Sequence, residues 1–232
     1  MVDEKHKKTI KRVPVIGTIV KSIVKKLRQA SFSGSQEYWE ARYRRGGTSG
    51  DGSYGKLAEF KAEVVNSFVK DRKIYSVLEF GCGDGNQIAL ANYPTYIGLD
   101  VSKTAIKLCK DRFKNDDTKK FFLYDPSSFE HTRFKSELTL SLDVIYHLVE
   151  DKVFETYMKH LFSAAEKFVI IYSSDTDVNS FESFHIKHRN FSEWVKKNLP
   201  EWKLSETIPN KYPFTGDTIN ESWADFFIYE KI

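Results

Sequence analysis

The chain has 232 residues, of which 41% are hydrophobic and 15% aromatic, enough for one domain with a real core and room for an appendage. Its formal net charge of +4 is spread over 36 basic and 32 acidic residues, too weak a balance to argue for nucleic-acid binding. The two cysteines, Cys82 and Cys109, lack metal-ligand spacing, so no metal and no disulfide framework are expected, as suits a reducing compartment.

Residues 1–12 are rich in Lys. From Pro14 to Gln29 the apolar residues Ile16, Ile19, Val20, Ile23, Val24 and Leu27 recur at helical spacing, flanked by Lys21, Lys25, Lys26 and Arg28. Such a basic amphipathic helix either docks on a protein surface or makes peripheral contact with an anionic membrane through residues 13–29. No run spans a bilayer, and no A-x-A-like cleavage site follows. A cytoplasmic protein is therefore expected, peripheral at the inner membrane face under the second reading. Residues 1–35 are read as this helix with a small-residue linker, and residues 36–232 as the main domain.

Gln36 to Arg45 reads as a short helix. Five glycines fall between Gly46 and Gly55, which predicts an irregular, mobile loop. Gly55 to Asp71 returns to helical period, with Leu57, Phe60, Val64, Val65 and Phe68 on one side. Beyond Tyr75, short apolar runs alternate with helical segments. Strands are expected at 76–80, 96–100, 121–125, 138–145 and 168–172. Helices are expected at 87–92, 104–113 (with Ser102 as its cap) and 153–167. Trp202–Ile208 and Ala224–Tyr229 have little helix between them and read as an antiparallel pair at the sheet edge. The pattern predicts an α/β fold built on a mostly parallel sheet.

The first parallel strand ends in Glu79-Phe80-Gly81-Cys82-Gly83-Asp84-Gly85. In doubly wound sheets ligands sit beyond the carboxyl ends of the strands. Asp100 ends the second strand, where a carboxylate can accept both hydroxyls of a ribose. A dinucleotide fold is the rival reading, but its fingerprint is G-x-G-x-x-G, and position 86 is Asn. An acid at Glu79 is unwelcome near a pyrophosphate and welcome near the ammonium of an amino-acid ligand.

Val77–Gly85 resembles the first motif of class I S-adenosylmethionine-dependent methyltransferases. Tyr96–Ser102 resembles their ribose-binding motif, Tyr124-Asp125 their adenine motif, and Ser141–Ile145 the strand-four motif beside the methyl group. The four stand in family order over about residues 75–175. The resemblance implies a Rossmann-like seven-stranded sheet in order 3-2-1-4-5-7-6, with helices on both faces. It implies S-adenosylmethionine as cofactor, with S-adenosylhomocysteine as product. Glu79, Gly81, Cys82, Gly83, Asp100, Val101, Asp125 and Asp143 then become candidate cofactor residues. Tyr38 and Tyr43 join them, because an N-terminal helix of this kind folds over the methionine end in similar enzymes.

Methyl transfer to a hydroxyl needs a base, and His is tuned for that near neutral pH. His147 and Tyr146, just past strand four, and His188 are the catalytic candidates. The polar stretch Ser173–Asn190 follows strand five and reads as an acceptor lid. His185 and Arg189 in it, with Tyr54 and Tyr172, are candidate acceptor contacts. His185 and His188 lack a third metal ligand nearby. Asn210–Phe214 is a further candidate border of the cleft. The whole pattern is similar to methyltransferases of bacterial surface polysaccharide pathways (capsule or lipopolysaccharide). That similarity implies a small-molecule or glycan acceptor, methylated on a sugar hydroxyl, and no nucleic-acid partner. An N-methyltransferase, a nucleic-acid or protein methyltransferase, and a non-catalytic relative are the alternatives.

Overall fold

In the computed structural model, residues 32–179, 184–217 and 219–232 are described. The expected amphipathic helix of residues 13–29 lies outside them. Ser33–Ile232 form one compact unit.

The helix α1 (Ser35–Arg44) opens this unit. Ser35, expected as the last linker residue, is its first residue: its amide and hydroxyl both donate to Glu150, at 3.0 and 2.6 Å. After a short 3-10 turn comes α2 (Gly55–Asp71). Then β1 (Ser76–Phe80), β2 (Thr95–Asp100), α3 (Lys103–Arg112) and β3 (Lys119–Leu123) follow. Ser102 caps α3, its Oγ accepting from the Ala105 amide at 3.0 Å, as the sequence suggests. β4 (Ser136–Leu142), α4 (Asp151–Ser163), β5 (Ala165–Ser173), α5 (Phe191–Asn198), β6 (Trp202–Ile208) and β7 (Asp225–Lys231) complete the chain.

The seven strands form one sheet in order β3-β2-β1-β4-β5-β7-β6. The first five run parallel, and β7 is antiparallel to both β5 and β6. Period-2 alternation sends Val77, Tyr96, Leu138 and Ile170 to one face, under Phe60, Val65 and Phe68 of α2. Leu78, Leu99, Val169 and Ile171 go to the other, under Phe154, Met158 and Leu161 of α4 and Phe191 and Val195 of α5. Met158 and Leu161 are fully buried, each contributing roughly 1.5–3 kcal/mol of apolar burial. β6 is the exposed edge, and its outward Lys203 and Glu206 discourage pairing with another chain.

Several boundaries depart from the sequence reading. β4 stops at Leu142 because Asp143 turns into the left-handed region, at φ 60, and Ile145 lies in a 3-10 turn. The helix expected to reach Lys167 ends at Ser163, since Ala165 already pairs with Ser136 across the sheet. β3 ends two residues before Asp125. Among the described residues no helix is long and apolar enough to cross a membrane.

Candidate active site

The carboxyl ends of β1, β2 and β4 meet at one edge, where the chain must leave the sheet. The Gly81 and Cys82 amides both donate to the Leu99 carbonyl, at 2.7 and 3.0 Å, which bends the chain over β2. Gly83 has φ 58, and a Cβ there would stand 2.2 Å from Ser49 Oγ and 3.0 Å from the Tyr43 hydroxyl. Only glycine meets both demands.

The Gly46–Gly55 loop, expected to be mobile, is clamped onto this turn. Ser49 N donates to Asp84 Oδ2 at 2.8 Å, and Asp84 N returns a bond to Ser49 Oγ at 2.9 Å. The Tyr54 hydroxyl also donates to Asp84 Oδ2, at 2.9 Å, and Asn86 Nδ2 holds the Ser53 carbonyl at 2.7 Å. Loop and glycine turn therefore form one wall.

A cleft of about 230 Å³ opens here. Of the sequence candidates, Tyr43, Glu79, Gly81, Cys82, Gly83, Asp100, Val101, Asp143 and His147 line it. Glu79 accepts from the Tyr96 hydroxyl at 2.6 Å. Burial pushes its carboxyl up to about 7, against the pull of Tyr96 and Lys61. Asp100 accepts from the Gly83 and Ser102 amides at 2.9 and 2.8 Å. Burial still raises it to about 6, those two N–H groups holding it back. Asp143 accepts from Lys61 Nζ at 2.5 Å and from the Tyr146 hydroxyl at 2.8 Å. A hydrogen bond with Cys109, then burial, hold the Cys82 thiol well above its ordinary range, so it is an unreactive small residue in a tight turn.

His147 Nδ1 lies 3.1 Å from the His185 carbonyl. A carbonyl only accepts, so Nδ1 carries the proton and Nε2 keeps its lone pair. Burial pulls this ring down to about 4, so it is neutral at physiological pH. It sits edge-on to Trp39 and parallel to His185.

Other candidates are placed elsewhere. Asp125 is exposed and caps its own turn through Ser127 and Ser128, while its neighbours Tyr124 and Pro126 line the cleft. Arg189 is a candidate acceptor contact in the sequence. It is buried, and its guanidinium is spent on the Leu148 and Val149 carbonyls and on Asp151. It fixes the turn behind His147. Tyr38 stacks on His185 with ring centroids 4.7 Å apart. His188 pairs with Ser174 Oγ at 2.6 Å. Tyr54 belongs to the Asp84 clamp. Tyr172 is buried under the sheet edge, its hydroxyl accepting from Asn210 Nδ2 at 2.6 Å. None of these six, nor Tyr146, nor any residue of Asn210–Phe214, is among the cleft-lining residues. No cluster of potential metal ligands occurs among the described residues.

Trp39, Lys61 and Gln87 line the cleft and were missed as site residues. Lys61 had a readable signal. It falls on the apolar stripe of α2, four residues after Leu57 and four before Val65, where a charge is out of place unless paired.

Residues 78–165 match the family model for a methyltransferase domain. No curated protein matches the chain. Among solved structures, the N-methyltransferase NodS from Bradyrhizobium japonicum WM9, in complex with S-adenosylhomocysteine, is similar. It shares 13% identity over 86% of this chain and 99% of its own, with a TM-score of 0.66. Magnesium protoporphyrin IX methyltransferase from Synechocystis PCC 6803, also with bound S-adenosylhomocysteine, shares 14% over 85% and 98%, with a TM-score of 0.60. The methyltransferase domain of bacterial CtHen1-C shares 18% over 74% and 96%, with a TM-score of 0.59. The matched segment runs from β1 to the start of β5 and includes the glycine turn, so residues 78–165 form a methyltransferase domain. The protein is an S-adenosylmethionine-dependent methyltransferase.

The residues present fit that cofactor. Three carboxylates, Glu79, Asp100 and Asp143, face the cleft with Lys61 as counter-charge, a wall suited to a ligand that bears an ammonium and a sulfonium. Val101, Tyr124, Pro126 and Val144 supply an apolar slot for a flat ring. The glycine turn lets backbone approach the ligand closely.

Proposed function

We propose that the protein methylates a hydroxyl of a small, uncharged acceptor, a sugar or sugar-linked group of the kind used in surface polysaccharide synthesis. His147 carries this reading: a neutral imidazole in the cleft wall, its tautomer locked by the His185 carbonyl, with Nε2 available as a base. When bound, S-adenosylmethionine supplies an activated methyl group, so the protein's work is alignment and proton removal. In this reading His147 Nε2 takes the hydroxyl proton. Asp143, Glu79, Asp100, Gly81, Gly83, Cys82, Val101 and Tyr43 hold the cofactor. Trp39, beside His147 on α1, offers an aromatic wall of the kind sugar rings pack on. Tyr146 positions Asp143 through its hydroxyl. His185 acts through His147, and His188, Tyr38, Tyr54, Tyr172, Asp125 and Arg189 support the fold around the site. Residues 33–232 are the catalytic unit, and the residues before them an appended segment.

The deciding experiment is a turnover screen. Purified protein with S-adenosylmethionine is offered sugar nucleotides, oligosaccharides, RNA and amines, scoring S-adenosylhomocysteine release. Turnover with RNA or amines and none with any glycan-type acceptor sinks the reading. His147→Ala then loses roughly 10²–10⁴-fold in kcat. With cofactor saturating, wild-type kcat/KM for the acceptor keeps its acid limb near pH 4, because burial holds His147 at about 4 and the base is active only when neutral. A limb near the ordinary histidine range argues for another group.

A further inference from the structure

A chain of aromatic rings leaves the cleft and ends on an exposed surface. It starts at His147, in the cleft wall. By ring centroids, Tyr146 lies 4.6 Å from His147, His188 lies 6.1 Å from Tyr146, and Trp223 lies 6.0 Å from His188. Phe214 closes the chain, 3.9 Å from Trp223. Every ring belongs to a residue with some exposed surface, and Trp223 is 52% exposed.

The rings come from three separate stretches of chain, and each stretch is tied down. Lys187 N donates to the Tyr146 carbonyl at 2.8 Å, which sets the stretch before α5 beside the turn after β4. In the β6–β7 connection, Phe214 N donates to the Ser222 carbonyl and Ser222 N to the Tyr212 carbonyl, each at 3.0 Å. The Glu221 carboxylate gathers the Thr215, Gly216 and Asp217 amides, at 2.6, 3.1 and 3.1 Å. An exposed tryptophan is therefore presented on a fixed frame.

Polar handles lie along the track. His188 Nδ1 is 2.6 Å from Ser174 Oγ, which stops the ring from turning. Its Nε2 has no partner among the described residues, and neither has the Trp223 indole N–H. Burial holds His188 below the ordinary histidine range, so the ring is neutral and suits a hydroxyl. Flat rings with single polar atoms between them match sugar rings, whose C–H faces stack and whose hydroxyls hydrogen-bond. A protein partner fits poorly, because a stable interface takes about 800 Å² from each side, well above what these partly covered rings offer.

We propose that the track from His147 through Tyr146 and His188 to Trp223 and Phe214 is a second acceptor subsite. It takes the sugar rings next to the one being methylated, so the substrate is a short neutral oligosaccharide. The inference rests on the glycan reading above and extends it from one sugar to a chain.

The test uses the neutral oligosaccharides of the turnover screen, each offered as a single sugar and as a tetrasaccharide. Initial rates on the full chain, with S-adenosylmethionine saturating, give kcat and KM for both. Wild type favours the tetrasaccharide about tenfold in kcat/KM, through KM. Trp223→Ala brings the ratio of the two close to one. Trp223→Phe keeps a stacking ring and retains most of the preference, which separates lost stacking from a damaged loop. Equal kcat/KM at both lengths in wild type overturns the subsite and leaves the glycan reading standing. So does a preference that survives Trp223→Ala, or one lost through kcat alone. Turnover of no glycan at either length overturns the glycan reading, and the subsite with it.

Discussion

Lys61→Met lowers the thermal midpoint by about 10 °C. The physical reason is an uncompensated charge. Lys61 is buried and Asp143 nearly so, and their contact at 2.5 Å joins α2 to the end of β4. Removing one partner of a buried pair costs about 3–5 kcal/mol, because the other keeps its desolvation penalty. For a domain of this size each kcal/mol moves the midpoint by roughly 2–4 °C. Asp143 also sits at φ 60, a conformation that non-glycine residues keep only where their surroundings impose it. Its amide bond to the Tyr172 carbonyl, at 2.9 Å, and its side-chain bonds to Lys61 and Tyr146 are those surroundings. The double variant Lys61→Met/Asp143→Asn recovers most of the lost midpoint, since no lone charge remains. Calorimetry or circular dichroism on the three variants decides it. A midpoint within 2 °C of wild type for Lys61→Met refutes the account.

Gly83→Ala abolishes most cofactor affinity while leaving the fold. The added methyl meets Ser49 Oγ at 2.2 Å and the Tyr43 hydroxyl at 3.0 Å, and alanine at φ 58 costs a further 1–2 kcal/mol, approximately. The Gly46–Gly55 loop must move away, and the reciprocal Ser49–Asp84 bonds break with it. The Gly83 amide is also drawn off Asp100. A loss of roughly hundredfold in S-adenosylhomocysteine affinity is expected, or about 2.7 kcal/mol. The thermal midpoint moves far less than in Lys61→Met, because the affected wall lies at the surface edge of the sheet. Ser49→Gly, added to Gly83→Ala, makes room and restores part of the affinity. Unchanged binding in the single variant shows that the loop is not a wall of the site.

The strand-ending glycines, Glu79, Asp100 and the Ser102 cap were legible because each is a local signal. A turn needing positive φ demands glycine, and a cap demands a short polar side chain three residues before its target amide. The alternation of strands and helices, and the closing antiparallel pair, follow from hydrophobic period and length. Asp125 falls outside the cleft lining because an acid in Asp-Pro satisfies a turn as readily as a ligand. The position of Arg189 was not legible from its polar sequence neighbourhood, since its side chain reaches back 41 residues to the Leu148 carbonyl.

By itself, then, the order of residues determined the sheet, the glycine turn and the class of cofactor, all of which rest on contacts between near neighbours or on periodicity. Only the tertiary structure decided where β4 ends, which face Lys61 serves, that the glycine-rich loop is a clamped wall, and which histidine faces the cleft. These depend on pairs such as Lys61 with Asp143, 82 residues apart, and on how deeply each group is buried. Burial and long-range partnership arise only when the sheet has closed and the helices have packed on it, so no local pattern encodes them.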